Sequence, residues 1–225
     1  MKKIMHNAAM MEWMHRLGIF TSDFRFYHDA VKLLKEWSLP FESLESKESV
    51  PGDVLAVLTS DRDDFLIEKQ VRGANALQAL RRSLPRLVGK TVFARIVIGI
   101  DPGPKPGVAV VCDGVVSEAL EISELGVLPD YISGVLVDYP CIDIFAMVGN
   151  GDKPNRDVIV ESVRKLGVRV IIVDERSTTI PHKRENNALS AAIIAMARDR
   201  KYEPRTKGRD LSNIEKKFVT FRAVL

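Results

Sequence analysis

The sequence has no apolar run close to the roughly 18 residues that a membrane-spanning helix requires. Its start is basic but contains no continuous apolar stretch, so we expect neither a signal peptide nor a membrane partner. It has only two cysteines, Cys112 and Cys141, and their spacing fits neither a metal site nor a redox motif. We therefore expect a cytoplasmic protein with reduced cysteines.

Internal repeats and low-complexity segments are also absent, and the 225 residues have the apolar and charged content of a globular protein. The segment Pro85–Thr91 is the expected boundary between two folded parts. We predict a small α/β domain over residues 1–90, a larger domain over 91–200 and a basic tail over 201–225. Several of the first 14 residues are methionines, so Met1, Met10, Met11 and Met14 are all candidate start residues.

Acidic residues are missing between Lys69 and Ile100, a stretch that contains seven basic residues. The segment from Arg198 to Leu225 has nine basic residues and four acidic ones. Such clustering is typical of a protein that binds a polyanion. A solvated helix face and a polar tail would explain the same pattern, and the sequence alone leaves both interpretations open.

In the first 90 residues the pattern predicts a helix over "FRFYHDAVKLLKEWSL", a buried strand over "DVLAVLTS" and a second helix over "GANALQALRRSL" that stops near Pro85. From Phe93 it predicts three strands, a helix, a strand, a helix, a strand and a helix. Asp113-Gly114 predicts a tight hairpin turn between the second and third strands. These elements indicate an α/β fold, with a mixed sheet of three antiparallel strands followed by βα units and flanked by helices.

Two of these strands end in acids, one in Asp101 and one in Asp174 and Glu175. Side chains at strand ends in α/β sheets commonly surround a ligand cleft. Carboxylates that converge there repel one another unless a cation lies between them, and oxygen ligands favour Mg²⁺ or Mn²⁺. Alternatively, Asp101 caps its own turn before Pro102.

The motifs around these acids carry a family resemblance. "GIDPGPKPGVAVV" resembles the first-strand motif of the RNase H-like superfamily, especially its RuvC and YqgF branches. "VIIVDERSTT" is similar to a motif of YqgF-type proteins, and "NNALSAAIIAMA" resembles the C-terminal helix of both branches. The resemblance covers roughly residues 93–200.

This resemblance implies an RNase H-like fold and a Mg²⁺- or Mn²⁺-dependent nuclease that acts on structured or branched nucleic acid by a two-metal mechanism. Asp101 would be the ligand that both metal ions share, and Glu175 would be the second acid. A homodimer stays open, because cutting two strands of a junction needs two active sites. The residues expected to contact nucleic acid are Lys105, Lys153, Arg156, Arg81, Arg82, Arg86, Lys90, Lys207 and Arg209.

The sequence departs from the family on the C-terminal helix. Asn187 occupies a position at which RuvC-type nucleases have an aspartate. Glu185 could supply the third acid, or it could simply complement the helix dipole. Asp174, Asp152 and His182 are further candidate metal ligands. Because the third acid is uncertain, a catalytically degenerate module that binds nucleic acid or a protein partner is the alternative.

Overall fold

The computed structural model describes residues 15–174 and 186–197. Contacts divide the chain into two compact units: one ends at Val92 and includes Asp138–Pro140, and the other comprises Phe93–Val137 and the residues from Cys141 onwards. Both units combine sheets with helices, which confirms the α/β class predicted from the sequence. No helix within the described ranges is long and apolar enough to cross a membrane.

A four-stranded parallel sheet and two helices form the first unit. Its elements are β1 (Arg16–Ile19), α1 (Phe24–Glu36), β2 (Phe41–Ser43), β3 (Val54–Ser60), β4 (Gln70–Gly73) and α2 (Ala76–Leu87). The strands are ordered β2-β1-β3-β4, and every neighbouring pair is parallel. β2 and β4 are therefore the outer strands of this sheet.

Helix α1 shows why the longer elements could be predicted. Its buried residues Phe26, Ala30 and Leu34 are spaced four apart, which gives the apolar stripe of a surface helix. Asp23 caps the helix by accepting the N–H groups of Arg25 and Phe26. Strand β3 and helix α2 were also predicted. β1, β2 and β4 were not, because three or four residues are too few to show a period.

A five-stranded mixed sheet and three helices form the second unit. Its elements are β5 (Phe93–Asp101), β6 (Gly107–Cys112), β7 (Val115–Glu121), α3 (Leu128–Asp138), β8 (Cys141–Gly149), α4 (Lys153–Lys165), β9 (Arg169–Val173) and α5 (Asn187–Met196). Only the last residue of α3, Asp138, is part of the first unit. The strands are ordered β7-β6-β5-β8-β9, with β5 in the centre. β6 is antiparallel to β5 and to β7, and β8 and β9 run parallel to β5. Consequently β5, β7, β8 and β9 all end at one edge, here called the carboxyl edge of the second sheet.

The turn between β6 and β7 confirms the predicted hairpin. It consists of Asp113 and Gly114, which have φ angles of 49° and 83°. A two-residue type I′ turn requires positive φ at both positions, and Asp and Gly are among the residues that tolerate it. The Asp113 carboxylate also accepts the N–H of Arg95 at 2.8 Å, which ties the turn to β5.

Helix α5 packs unusually close to the second sheet. A Cβ at Gly99 of β5 would overlap the Ala191 carbonyl oxygen and lie 2.6 Å from the Cβ of Ala195. A Cβ at Gly107 of β6 would overlap the Asn187 carbonyl. The face of α5 that packs here consists of small residues; its buried alanines are Ala188, Ala191, Ala192 and Ala195.

We expect Gly99→Ala to destabilise the protein by about 3 kcal/mol, because the new methyl group meets helix backbone that cannot move without displacing α5. Gly126→Ala is the matched control, since a Cβ at Gly126 meets nothing within 4 Å. Urea unfolding followed by far-UV circular dichroism measures both changes. Equal stability of the two variants would contradict the close packing.

Candidate functional site

Asp101 is half-buried at the end of β5, the central strand of the second sheet. Gly99 faces α5, and side chains two residues apart on a strand share a face, so Asp101 lies on the α5 side. It pairs with Gly107, against which the Asn187 carbonyl packs at the start of α5. Asp101 therefore lies at the carboxyl edge, close to the first turn of α5.

Asp174 reaches the same edge by another strand. It directly follows β9 and is exposed. Because β8 lies between β5 and β9, the backbones of the two acid-terminated strands are roughly 10 Å apart. Val173 packs against the core under α5, so strand alternation places position 174 on the face opposite to Asp101. The two acids share an edge, but their strands do not direct them to one point.

The other predicted ligands Glu175, Glu185 and His182 lie outside the described residues, as do Lys207 and Arg209. Within residues 15–174 and 186–197, no three side chains of His, Cys, Asp or Glu form a group that could hold a metal ion. The described residues alone therefore do not make up the Mg²⁺ or Mn²⁺ site that the family resemblance implies. The proposed ligand set stays a prediction.

Glu121 is a residue of this edge that the sequence analysis missed. It ends β7 and pairs with Gly107, which in turn pairs with Asp101. Residues that pair directly across neighbouring strands lie on the same face, so Asp101 and Glu121 flank Gly107 in one row. The criterion of an acid at a strand end applies to Glu121 too. It was missed because only the sheet order shows that β7 ends at the same edge as β5.

Asn187, the residue that replaces the family's aspartate, acts here as a hydrogen-bond donor. Its Nδ2 donates to the Lys105 carbonyl oxygen and to Glu121 Oε2, both at 2.9 Å. An ionised aspartate has no N–H to donate and would repel Glu121. The contacts of this position therefore suit an amide better than a carboxylate.

Asp152 serves a structural purpose in the loop after β8. Its carboxylate accepts the Nδ2 of Asn155 at 2.7 Å and the N–H of the same residue at 3.4 Å, so it caps the start of α4. Arg156 donates to Asp157 at 2.7 Å and to Asn150. Lys153, like Lys105 in the turn after β5, is exposed. Lys105 and Lys153 therefore place exposed positive charge at the carboxyl edge, whereas the Arg156 guanidinium is paired with Asp157. Their contact with nucleic acid stays a prediction.

Arg81 does not fit the predicted contact with nucleic acid. Its side chain is buried, with only 3% of the residue exposed, and its Nη1 donates to Asp138 Oδ2 at 3.0 Å. Asp138 also accepts Gln78 Nε2 at 2.7 Å, and the guanidinium lies over the Tyr139 ring. Asp138 and Tyr139 belong to the first unit. Arg81 was predicted to contact nucleic acid because the sequence pattern does not show that an acid at position 138 is buried against it.

The carboxyl edge of the first sheet is closed by a hydrogen-bond network between the loops after β1 and β3. Asp63, 2% exposed, accepts the Ser22 N–H and hydroxyl at 2.8 and 2.7 Å and the Ser60 N–H at 2.9 Å. Asp23, besides capping α1, accepts the Ser60 hydroxyl at 3.1 Å. Both carboxylates are therefore held by donors of their own chain.

This network changes the acidity of the buried carboxyl. Burial alone would raise the pKa of Asp63, but hydrogen bonds from the Thr21 and Ser22 hydroxyls and from backbone N–H groups outweigh it, so the pKa is lowered. The pKa of Asp23 is lowered as well, chiefly by its bond to the Phe26 N–H. Ionised Asp63 therefore stabilises the folded first unit.

The first unit has a parallel sheet whose order, β2-β1-β3-β4, agrees with the beginning of the flavodoxin-like order. Residues 16–87, about a third of the chain, match the family of the response regulator receiver-like domain, and this region is similar to that family. No curated protein and no solved structure matches the chain. The matched residues lie outside 93–200, so the match does not bear on the RNase H-like resemblance.

We expect Asp63→Asn to destabilise the first unit by about 2 kcal/mol or more at pH 7, because an amide cannot accept all the donors that face the carboxylate. A lowered folded-state pKa contributes stability above the unfolded pKa of about 3.8, and this stability is lost as pH falls through the folded value. The difference in stability between wild type and Asp63→Asn should therefore become smaller at acidic pH.

Urea unfolding followed by the fluorescence of Trp37, which is buried in the first unit, measures this effect from pH 7 down to pH 3 in a Trp13→Phe background. Asp64→Asn is the control, because Asp64 is exposed and adjacent. A stability difference between wild type and Asp63→Asn that does not change with pH would argue against ionised Asp63 as the stabilising group.

At position 187 we expect wild type to be the most stable protein, Asn187→Ala to be less stable and Asn187→Asp to be the least stable. Thermal unfolding in EDTA at low salt measures this order. Alanine removes two hydrogen bonds, and aspartate adds repulsion from Glu121, for a further loss of less than about 1 kcal/mol at this partly exposed site. High salt should reduce the gap between the two variants. An aspartate variant as stable as wild type would refute the role of the amide.

Proposed function

We propose that the second unit is an RNase H-like module that hydrolyses phosphodiester bonds in structured nucleic acid with the help of Mg²⁺ or Mn²⁺. The sheet supports this proposal: three antiparallel strands are followed by two strands parallel to the first, with helices between them. This sheet agrees with the sequence-based prediction of three antiparallel strands followed by βα units, which is also the element order of the family that residues 93–200 resemble.

The observation that carries the proposal is the position of Asp101. It ends the central strand at an edge where three other strands also end, and ligands of α/β sheets bind at such edges. The ladders with β6 and β8 hold the backbone of β5 on both sides. A carboxylate on such a strand has the fixed direction that a reactive site needs.

The charges near this edge support nucleic acid as the substrate. Lys105 lies in the turn that follows Asp101, and Lys153 and Arg156 lie on the first turn of α4 after β8. Phosphate groups are bound by such side chains without regard to sequence. A substrate that approaches Asp101 would therefore meet the exposed charges of Lys105 and Lys153, whereas the charge of Arg156 is already paired with Asp157.

In this proposal a divalent cation supplies the chemistry that activates water and neutralises charge on the phosphate. Among the described residues, Asp101 would be one ligand of this cation, and Glu121 lies in the same row. The remaining ligands are expected from Glu175 and Glu185.

The alternative is a degenerate module that binds nucleic acid or a protein without cutting, and one observation favours it. Asn187 donates both of its resolved side-chain hydrogen bonds, one of them to a carboxylate that a metal site could otherwise use. If cleavage requires an acid at this position of α5, as in RuvC-type nucleases, the chain lacks that acid at position 187.

We expect Asp101→Asn to abolish cleavage, lowering the rate at least a hundredfold, because an amide binds cations far more weakly than a carboxylate. The assay uses labelled four-way-junction DNA, duplex DNA, single-stranded DNA and structured RNA with Mg²⁺, Mn²⁺ or EDTA. Asp130→Asn is the matched control, since Asp130 is an exposed acid of the same unit on α3.

Cleavage that persists in Asp101→Asn or in EDTA would refute the nuclease assignment of this site. Metal-independent binding without cleavage of any substrate would instead support the binding module. Circular dichroism of both variants shows whether a loss of activity comes from unfolding.

A further inference from the structure

The outer strand of the first sheet is covered by arginines from helix α2. β4 pairs only with β3, so its other edge has no strand partner within the sheet. Arg82 Nη1 donates to the Arg72 carbonyl oxygen at 3.0 Å. Arg86 donates to the carbonyl oxygens of Lys69 at 2.7 Å and Gln70 at 3.4 Å. These contacts place the Arg82 and Arg86 guanidinium groups beside the backbone of Lys69, Gln70 and Arg72. We call the surface formed by Lys69, Arg72, Arg82 and Arg86 the basic edge surface.

Carboxylates neutralise only half of this surface. Glu68 lies 4.0 Å from Lys69, and Asp61 lies 3.8 Å from Arg72. In the described part of the chain, Arg82 and Arg86 form no ion pair with a carboxylate, although both are half-buried. Two guanidinium charges are therefore partly removed from water without a counter-charge.

Protection of the strand edge does not explain these charges. A backbone carbonyl needs an N–H donor, and a neutral amide side chain would supply one. Arg82 and Arg86 are also four residues apart on one helix, where like charges destabilise each other. An anion bound at this surface would remove both penalties. Each guanidinium has five N–H donors, and the carbonyls take one from Arg82 and two from Arg86, so donors remain for phosphate oxygens.

We propose that the basic edge surface of the first unit binds the phosphate backbone of nucleic acid. The proposal rests on the proposed function for its choice of nucleic acid as the partner. In this proposal the first unit binds the phosphate backbone through charge and does not recognise the base sequence. The second unit carries the candidate site of cleavage.

The test is the salt dependence of binding by the full chain in EDTA, measured by the fluorescence anisotropy of a labelled DNA duplex. In the double variant Arg82→Gln and Arg86→Gln, glutamine keeps an N–H donor for the carbonyls but removes the charges. We expect the slope of log affinity against log salt to fall in magnitude by about 2, and affinity at 0.1 M salt to fall roughly ten- to a hundredfold. Duplexes of unrelated sequence should lose affinity equally.

The matched control is Lys32→Gln with Lys35→Gln, which removes two exposed charges from α1 of the same unit and should leave the slope close to that of wild type. The single variants Arg82→Gln and Arg86→Gln should each change the slope by about 1. Trp37 fluorescence confirms that each variant keeps the fold of the first unit.

An unchanged slope in the folded double variant would overturn this proposal, even if Asp101-dependent cleavage is observed. Binding to anionic vesicles with no binding to nucleic acid would overturn it as well. Loss of binding in the double variant would support it, even if the chain cleaves nothing and the nuclease proposal fails.

Discussion

Strands β5 and β6 accept helix α5 at backbone contact only because Gly99 and Gly107 have no side chains. This contact is the constraint on which the second unit depends. It buries the alanine face of the helix and places its first residue, Asn187, between the ends of β6 and β7. The arrangement of the carboxyl edge follows from it, because Asn187 can reach Glu121 and the Lys105 carbonyl only from that position.

The acids near the strand ends have different surroundings in the two units. In the first unit the carboxylates of Asp23 and Asp63 are satisfied by hydroxyl and N–H donors of the same chain, so they stay ionised without a ligand. In the second unit Asp101, Glu121 and Asp174 come from three strands that end at one edge. The first edge is therefore held together by hydrogen bonds within the chain, whereas the second edge brings together the ends of three strands that each end in or beside an acid.

The longer helices and strands could be predicted from their hydrophobic periodicity, whereas the shortest strands could not. Helix α1 has a stripe of apolar residues four apart, and the β6–β7 turn has the Asp-Gly pair that its positive φ angles require. The strands β1, β2 and β4 have three or four residues each and show no such signal. Among the candidate site residues, Asp101 was proposed from its strand end, Glu121 was missed, and Arg81, expected to contact nucleic acid, is buried.

The sequence by itself determined the α/β class, the strand-terminal acids and the local caps and turns, because these depend on residues close together in the chain. Only the tertiary structure decided which strand ends share an edge, since that depends on strand order and direction. It also decided that Asn187 donates to Glu121 and that Arg81 is buried against Asp138, contacts between residues 66 and 57 positions apart. Contacts at such separations are set by packing, and no local pattern encodes them.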